Sequence, residues 1–204
     1  MKKLLKRTAQ AVFLILALPL AALAGFGRWD EGFRLSAHVC ALAPGILGDY
    51  LRIAFYKLTL QKCSLDSRIE FGSFFAHPSA SVGNGVYIGA YCVLGKCSIG
   101  DRTQVASHVQ VLSGRRQHIR DAAGNITGAE QGEFVPVEIG ADCWIGASAL
   151  VMASVGAGTS IGAGAVVVKP VEAGVVAVGN PARVREQGTI TEPAVPPVVG
   201  AQKP

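Results

Sequence analysis

His118 closes the polar run Ser113-Gly114-Arg115-Arg116-Gln117-His118, with Ile119, Arg120 and Asp121 following directly. An imidazole is the side chain best tuned to take a proton from a hydroxyl near neutral pH. An alcohol that attacks a carbonyl needs such a base, and donors for the oxyanion that forms. The chain has four histidines. His38 lies in an apolar N-terminal stretch, and His77 precedes the regular part of the sequence. His108 sits inside a repeat, where a corner or interface role is the plainer reading. His118 is therefore the candidate general base. Asp121 is placed either to orient its imidazole or to stand as a solvated loop carboxylate.

The elements that must hold this loop repeat every six residues, with an aliphatic residue followed mostly by Gly or Ala. Val82, Ile88 and Leu94 form one set, and Ile99, Val105 and Val111 a second after a slip of one residue. The pattern breaks over 113–136 and resumes as Ile139, Ile145 and Val151, then, after a two-residue deletion, as Val155, Ile161 and Val167. A period of six is no multiple of 3.6, which excludes an amphipathic helix. One short strand and one corner per hexad closes a triangular coil after three hexads, and stacked coils share one apolar column. Ile69-Glu70 and Phe75-Ala76 fit as irregular hexads ahead of the first set. Long insertions into such regular structures carry function, which again singles out 113–136. The expected fold is all-β, a parallel β-helix with an extruded loop.

These hexads resemble those of the hexapeptide-repeat acyltransferases, the superfamily of galactoside, maltose and serine O-acetyltransferases. The Ser-Gly-Arg-Arg-Gln-His run is most similar to members that modify bacterial surface polysaccharides. The resemblance implies a left-handed β-helix, a homotrimer with active sites between protomers, and acetyl-CoA as acyl donor. It also implies direct transfer to a sugar hydroxyl, with His118 as base. Carried over residue by residue, Ala147 and Ala163 in the C-terminal coils, with Val168, would line the pantetheine arm. Lys169, Arg183 and Arg185 would meet phosphates, for which ammonium and guanidinium groups are apt. The alternative reading of Lys169 and Arg183 is ordinary surface charge. Trp144 would wall the acceptor site, or fill a structural corner.

The sequence departs from that pattern in two places. Where related sugar acetyltransferases carry an asparagine ahead of the histidine, Tyr91 stands nearest, so acceptor recognition is expected to differ. The deletion between Val151 and Ile161 shortens one coil. Two other readings compete. A zinc hydratase on this fold uses a histidine pair four residues apart, and His77, His108 and His118 do not supply one. A non-catalytic scaffold leaves the His118 loop without a purpose. No metal is expected.

Thr8 to Gly27 is free of charge and follows Lys2, Lys3, Lys6 and Arg7, long enough to cross a bilayer core. The basic start, the apolar run and Ala22-Leu23-Ala24 also match a cleaved signal peptide, but export would separate the protein from coenzyme A. A second apolar stretch, Leu35 to Gly48, runs into the amphipathic Asp49 to Leu58, with Leu51, Phe55 and Leu58 at helical spacing beside Arg52 and Lys57. Pro19 and Pro44 are expected to break these helices. The reading is a membrane-associated segment over 1–60, re-entrant or hairpin, on the cytoplasmic face of the inner membrane. The β-helix domain then covers 61–186, and a flexible Pro-rich tail 187–204. Much of the net charge of +5 sits in the first seven residues, which gives nucleic-acid binding little support. The five cysteines follow no zinc spacing and read as small core residues in a reducing setting. Cys143 is no exception, and no acyl-enzyme is expected. A lipid-linked sugar at the membrane is the first choice of acceptor, and a small soluble sugar the second.

Overall fold

Each aliphatic residue of the repeat except Val155, which makes a single bridge, lies in a strand two or three residues long, and three hexads complete one coil. The computed structural model describes residues 2–114, 119–128, 132 and 134–185, and its coils stack into three parallel sheets. Face A holds β1 (Lys62–Cys63), β4 (Ser81–Val82), β7 (Cys97–Ile99) and β10 (Val137–Ile139), continued by single bridges at Val155 and Val171. Face B holds β2 (Arg68–Ile69), β5 (Tyr87–Ile88), β8 (Gln104–Val105), β11 (Trp144–Ile145), β13 (Ser160–Ile161) and β15 (Val176–Val178). Face C holds β3 (Phe74–Phe75), β6 (Val93–Leu94), β9 (Gln110–Val111), β12 (Leu150–Val151) and β14 (Val166–Val167). The four sets read from the repeat are four successive coils. The irregular hexads at Ile69 and Phe75 complete a coil before them, and Val171 and Ala177 belong to one after them.

The register stacks like on like. Ile69, Ile88, Val105, Ile145 and Ile161 follow one another up face B, all fully buried. Each such side chain contributes roughly 1.5–3 kcal/mol by leaving water. No single coil could hide them, so the coils stand only as a stack. Buried hydroxyls stitch successive coils together. Ser73 Oγ donates to Gly89 O (2.6 Å) and accepts from Cys92 N (2.8 Å), while Thr103 Oγ1 donates to Gly140 O (2.7 Å) and accepts from Cys143 N (3.1 Å).

Three helices close the N-terminal end: α1 (Lys2–Leu23), α2 (Asp30–Ala41) and α3 (Gly45–Thr59). Phe33, Cys40, Phe55 and Tyr56 are buried in one core with Ile69 and Phe75, so the core runs without a break from the helices into the first coil. Pro44 stands at the N-cap of α3 in extended backbone, as its fixed φ favours. Two expectations change. α1 runs through Pro19 without ending, on a face where Ile15, Leu18 and Pro19 itself are exposed. Arg52, read as part of a polar face, is fully buried. It donates to the carbonyls of Ile69 (2.8 Å), Ala43 (2.6 Å) and Cys40 (3.2 Å) and pairs with Asp49 (2.5 Å). A spacing argument counts charge as solvent-facing, but here a guanidinium satisfies the carbonyls where α2, α3 and the first coil meet. The tail over 187–204 lies outside the described residues.

Candidate functional site

The extrusion leaves the rod at the corner between faces C and A. Ser113 is buried there, its Oγ accepting from Lys96 N (2.8 Å). Across the gap, Gly114 faces Val135: a Cβ on Gly114 would lie 3.1 Å from that of Val135. Phe134 then lies edge-on against His77, with ring centroids 5.5 Å apart, so the returning end of the loop reaches the corner of the first coil. Burial lowers the pKa of His77 below its ordinary value, Asp30 opposes that shift, and Arg34 and Lys96 add to it.

His118, the expected base, lies outside the described residues, as do Arg115, Arg116 and Gln117. Asp121 is described, and its carboxylate is occupied by its own turn. Oδ1 accepts from Asn125 N and Ala123 N, both at 2.9 Å, and these bonds hold its pKa below the ordinary carboxylate value. The turn links Arg120 and Ile126 in a small antiparallel bridge.

The other candidate residues fall in three places. Tyr91, Ala147 and Ala163 share the corner between faces B and C, in the coils of β5, β11 and β13; Gly164 N donates to Ala147 O (2.8 Å). Val168 and Lys169 stand on the corner between faces C and A, the one the extruded loop leaves. Arg183 and Arg185 lie on β16 (Arg183–Arg185), which pairs antiparallel with β15 at the C-terminal end. Trp144 points outward from face B, half exposed, between Gln104 and Ser160. Neighbouring corners of a coil stand about one hexad apart, roughly 15–20 Å of strand. Tyr91, Ala147 and Ala163 are thus separated from the loop's foot by the width of face C.

One arrangement escaped the spacing argument. Tyr91 and His108 stack, with centroids 5.3 Å apart and planes 14° from parallel, and Tyr91 meets Phe71 edge-on at 5.6 Å. Both follow an inward aliphatic, Ile88 or Val105, by three residues. That shared hexad position was the signal available, because it lands both rings on the same corner of consecutive coils. An open groove of about 550 Å³ runs up face A over Ser81, Ser98, Glu138 and Ser154, and none of the candidate residues lines it.

The five cysteines are all buried, with no disulfide. Burial pushes the thiols of Cys63 and Cys97 up to about 12 and raises that of Cys143, so none stands ready as a thiolate nucleophile. His77 and His108 occupy different corners. Among the described residues no three His, Cys, Asp or Glu side chains gather as metal ligands.

No protein-family model matches the sequence. Over 114 residues the chain is 41% identical to Nodulation protein L of Rhizobium leguminosarum bv. viciae, which takes in 53% of this chain and 58% of that protein. The chain thus spans under two thirds of that relative's length. The structure superposes on a maltose O-acetyltransferase from Clostridium difficile 630 with a TM-score of 0.65 and 23% identity, over 77% of this chain and 85% of the other. It superposes equally well, at 0.65 and 20% identity over 78% and 82%, on a galactoside acetyltransferase in complex with coenzyme A. Superposition preserves hand, so the left-handed winding implied by the resemblance is retained. The chain is a hexapeptide-repeat, left-handed β-helix protein that shares its fold with the two structures just named.

Proposed function

We propose that this protein transfers an acetyl group from acetyl-CoA to a sugar hydroxyl, with His118 as general base. The observation that carries the reading is the interruption of a regular hexad rod by a single polar extrusion, between the coils of β9 and β10, that contains Ser-Gly-Arg-Arg-Gln-His. The superposed enzymes named for maltose and galactoside, one of them bound to coenzyme A, support the choice of acceptor and donor. The imidazole of His118 takes the acceptor proton as the sugar oxygen attacks the thioester carbonyl. The oxyanion is held by a backbone N–H or by a neighbouring chain. The thiolate of coenzyme A then leaves and takes up the proton. No acyl-enzyme is needed, in keeping with five buried thiols.

Ala147 and Ala163 offer small side chains and open backbone to the pantetheine arm, and Val168 a wall. Lys169, Arg183 and Arg185 meet the phosphates. Tyr91 and Trp144 contact the acceptor. The width of face C separates Tyr91, Ala147 and Ala163 from the loop within one chain. A homotrimer would set the loop of one protomer against the corner of the next, which is the assembly we propose. The acceptor is a lipid-linked precursor of a surface polysaccharide, met at the cytoplasmic face of the inner membrane.

The test is coenzyme A release from acetyl-CoA by detergent-purified protein, with and without lipid-linked sugar extract, beside His118→Gln. Acceptor-dependent release that falls by two or more orders of magnitude in the variant is expected from loss of a general base. Release undiminished in His118→Gln would remove the base. No release, with no acetyl-CoA bound, would leave a scaffold.

A further inference from the structure

We propose that α1 lies flat in the surface of an anionic phospholipid bilayer, and that the β-helix stands upright on it; a spanning α1 is the alternative this excludes. The inference deepens the membrane partnership proposed above and is independent of acyl transfer. By length and composition α1 is able to cross: Leu4–Leu23 has a mean hydropathy of 1.5. Its contacts argue otherwise. Gln10, Ala17, Ala21 and Ala24 are buried at intervals of seven, four and three residues, a stripe that runs most of the helix's length. Near its start Lys6 pairs with Asp66 (2.9 Å) and Gln10 Nε2 donates to Leu65 O (2.7 Å); further on, Phe13 stacks on Tyr50 at 5.5 Å. Just past its end, a Cβ on Gly27 would lie 2.1 Å from Thr59 O, so that glycine abuts the last turn of α3.

α1 is therefore laid lengthwise along α3. α3 in turn touches β1 and β2 and, through Tyr56, Phe75 of β3, so it lies across the end of the first coil. A transmembrane α1 that kept these contacts would carry the first coil, with Lys62, Asp66 and Arg68, into hydrocarbon. Charges there cost several kcal/mol each. Laid flat, α1 keeps every contact and offers its other face to lipid.

That face suits the task. Val12, Ile15, Leu16, Leu18 and Leu23 are exposed by 42–66%, with Phe26 and Trp29 half exposed just beyond. Solvent-exposed apolar surface of this extent marks an interaction site. Residues 1–34 hold six Lys or Arg against two acids, and none of these charges falls between Thr8 and Gly27. An apolar stripe flanked by cations, with aromatic rings at its end, matches an interfacial helix on an anionic surface. A second copy of the chain, equally basic there, would bring like charges together.

The experiment uses full-length protein and vesicles of phosphatidylglycerol and phosphatidylethanolamine, with phosphatidylcholine vesicles as the neutral control. Flotation with the anionic vesicles is expected to exceed that with the neutral ones. Ile15→Glu with Leu16→Glu should lower partitioning at least about tenfold, while circular dichroism and detergent-phase coenzyme A release stay as in the parent. Because the native cysteines are buried, Thr8→Cys and Glu31→Cys can report topology with an impermeant maleimide. The two positions, one on either side of the apolar stretch, should label from the same side. Labelling of one position alone would show a spanning helix and overturn the proposal. So would absence of vesicle binding together with self-association that the two glutamates abolish.

Discussion

Tyr91 and His108 stack ring on ring, 5.3 Å between centroids, although both hold left-handed backbone, φ 58° and 61°. Each donates its N–H to the coil below, Tyr91 to Phe71 O (3.0 Å) and His108 to Ala90 O (2.8 Å). Along the same corner Gly72, Ser148 and Gly164 take the same conformation. A non-glycine residue there costs roughly 1 kcal/mol, and an aromatic contact returns about as much. Tyr91→Gly should therefore change unfolding free energy by less than about 1 kcal/mol. If the ring contacts the acceptor, KM for acceptor should rise about tenfold, as for the loss of about 1.4 kcal/mol, while KM for acetyl-CoA stays put. Steady-state kinetics beside thermal unfolding separates the two effects.

Arg52 is a stability determinant hidden among helix residues. Its removal leaves the carbonyls of Ile69 and Ala43 without this donor and Asp49 with only Arg68 (2.9 Å) as a counter-ion. Arg52→Met keeps the volume and loses the bonds. Breaking a buried pair from one side costs about 3–5 kcal/mol, and denaturant unfolding should show a loss of that order. Double replacement with Asp49→Leu should recover part of it, because no buried carboxylate is then stranded.

The glycines of the repeat serve two different needs. A Cβ on Gly140 would lie 2.4 Å from the backbone N of Ala157, in the next coil, which cannot move aside without breaking the stack. Gly164 has φ +67° and open space around it. Gly164→Ala should cost about 1 kcal/mol of backbone strain. Gly140→Ala should cost more, on the order of 2–3 kcal/mol as an overpacked core site does. Paired thermal unfolding curves measure the difference directly.

The rod was legible because its inward positions are nearly all Val, Ile or Leu followed by a small residue, and the extruded loop showed as the break in that pattern. The outer coils were harder to read. Cys63, Ile69 and Phe75 are followed by Ser64, Glu70 and Ala76, so the aliphatic–glycine pair that marks the later hexads is absent from all three. Arg52 could not be read as buried from a helical wheel, because its partners are carbonyls of other elements. The stack of Tyr91 on His108 needed the coil register, which spacing alone supplies only after the triangle is known.

Lys169 stands on the corner from which the loop leaves, and Arg183 on the terminal antiparallel strand; both are exposed. If they hold phosphates of coenzyme A, each neutralisation removes an exposed charge pair worth up to about 1 kcal/mol. Lys169→Ala and Arg183→Ala should each raise KM for acetyl-CoA by up to about fivefold with kcat unchanged. The effect should shrink at high salt, because exposed pairs are screened. KM values equal to the parent's at both low and high ionic strength in both variants would mark these residues as ordinary surface charge.

His77 links pH to the footing of the loop. Burial and the nearby Arg34 and Lys96 hold its pKa below the ordinary 6.5, against the pull of Asp30. A histidine depressed on folding contributes stability that is full above its unfolded pKa and lost as pH falls below that value. Protonation of His77 should thus loosen the contact with Phe134 at acid pH, as lower amide protection factors at residues 134 and 135. His77→Phe keeps a ring against Phe134 and does not titrate, so the protection factors there should become flat between pH 7.5 and 5.5. The same variant separates two acid limbs in the pH–rate profile. If His118 is the base it must be neutral to act, so kcat/KM should fall at acid pH whatever His77 does. A limb that becomes simpler but persists in His77→Phe fits a base in the loop and a separate hinge at the corner. Its complete disappearance would mean that loop footing alone sets the pH dependence, and that no titrating base is seen.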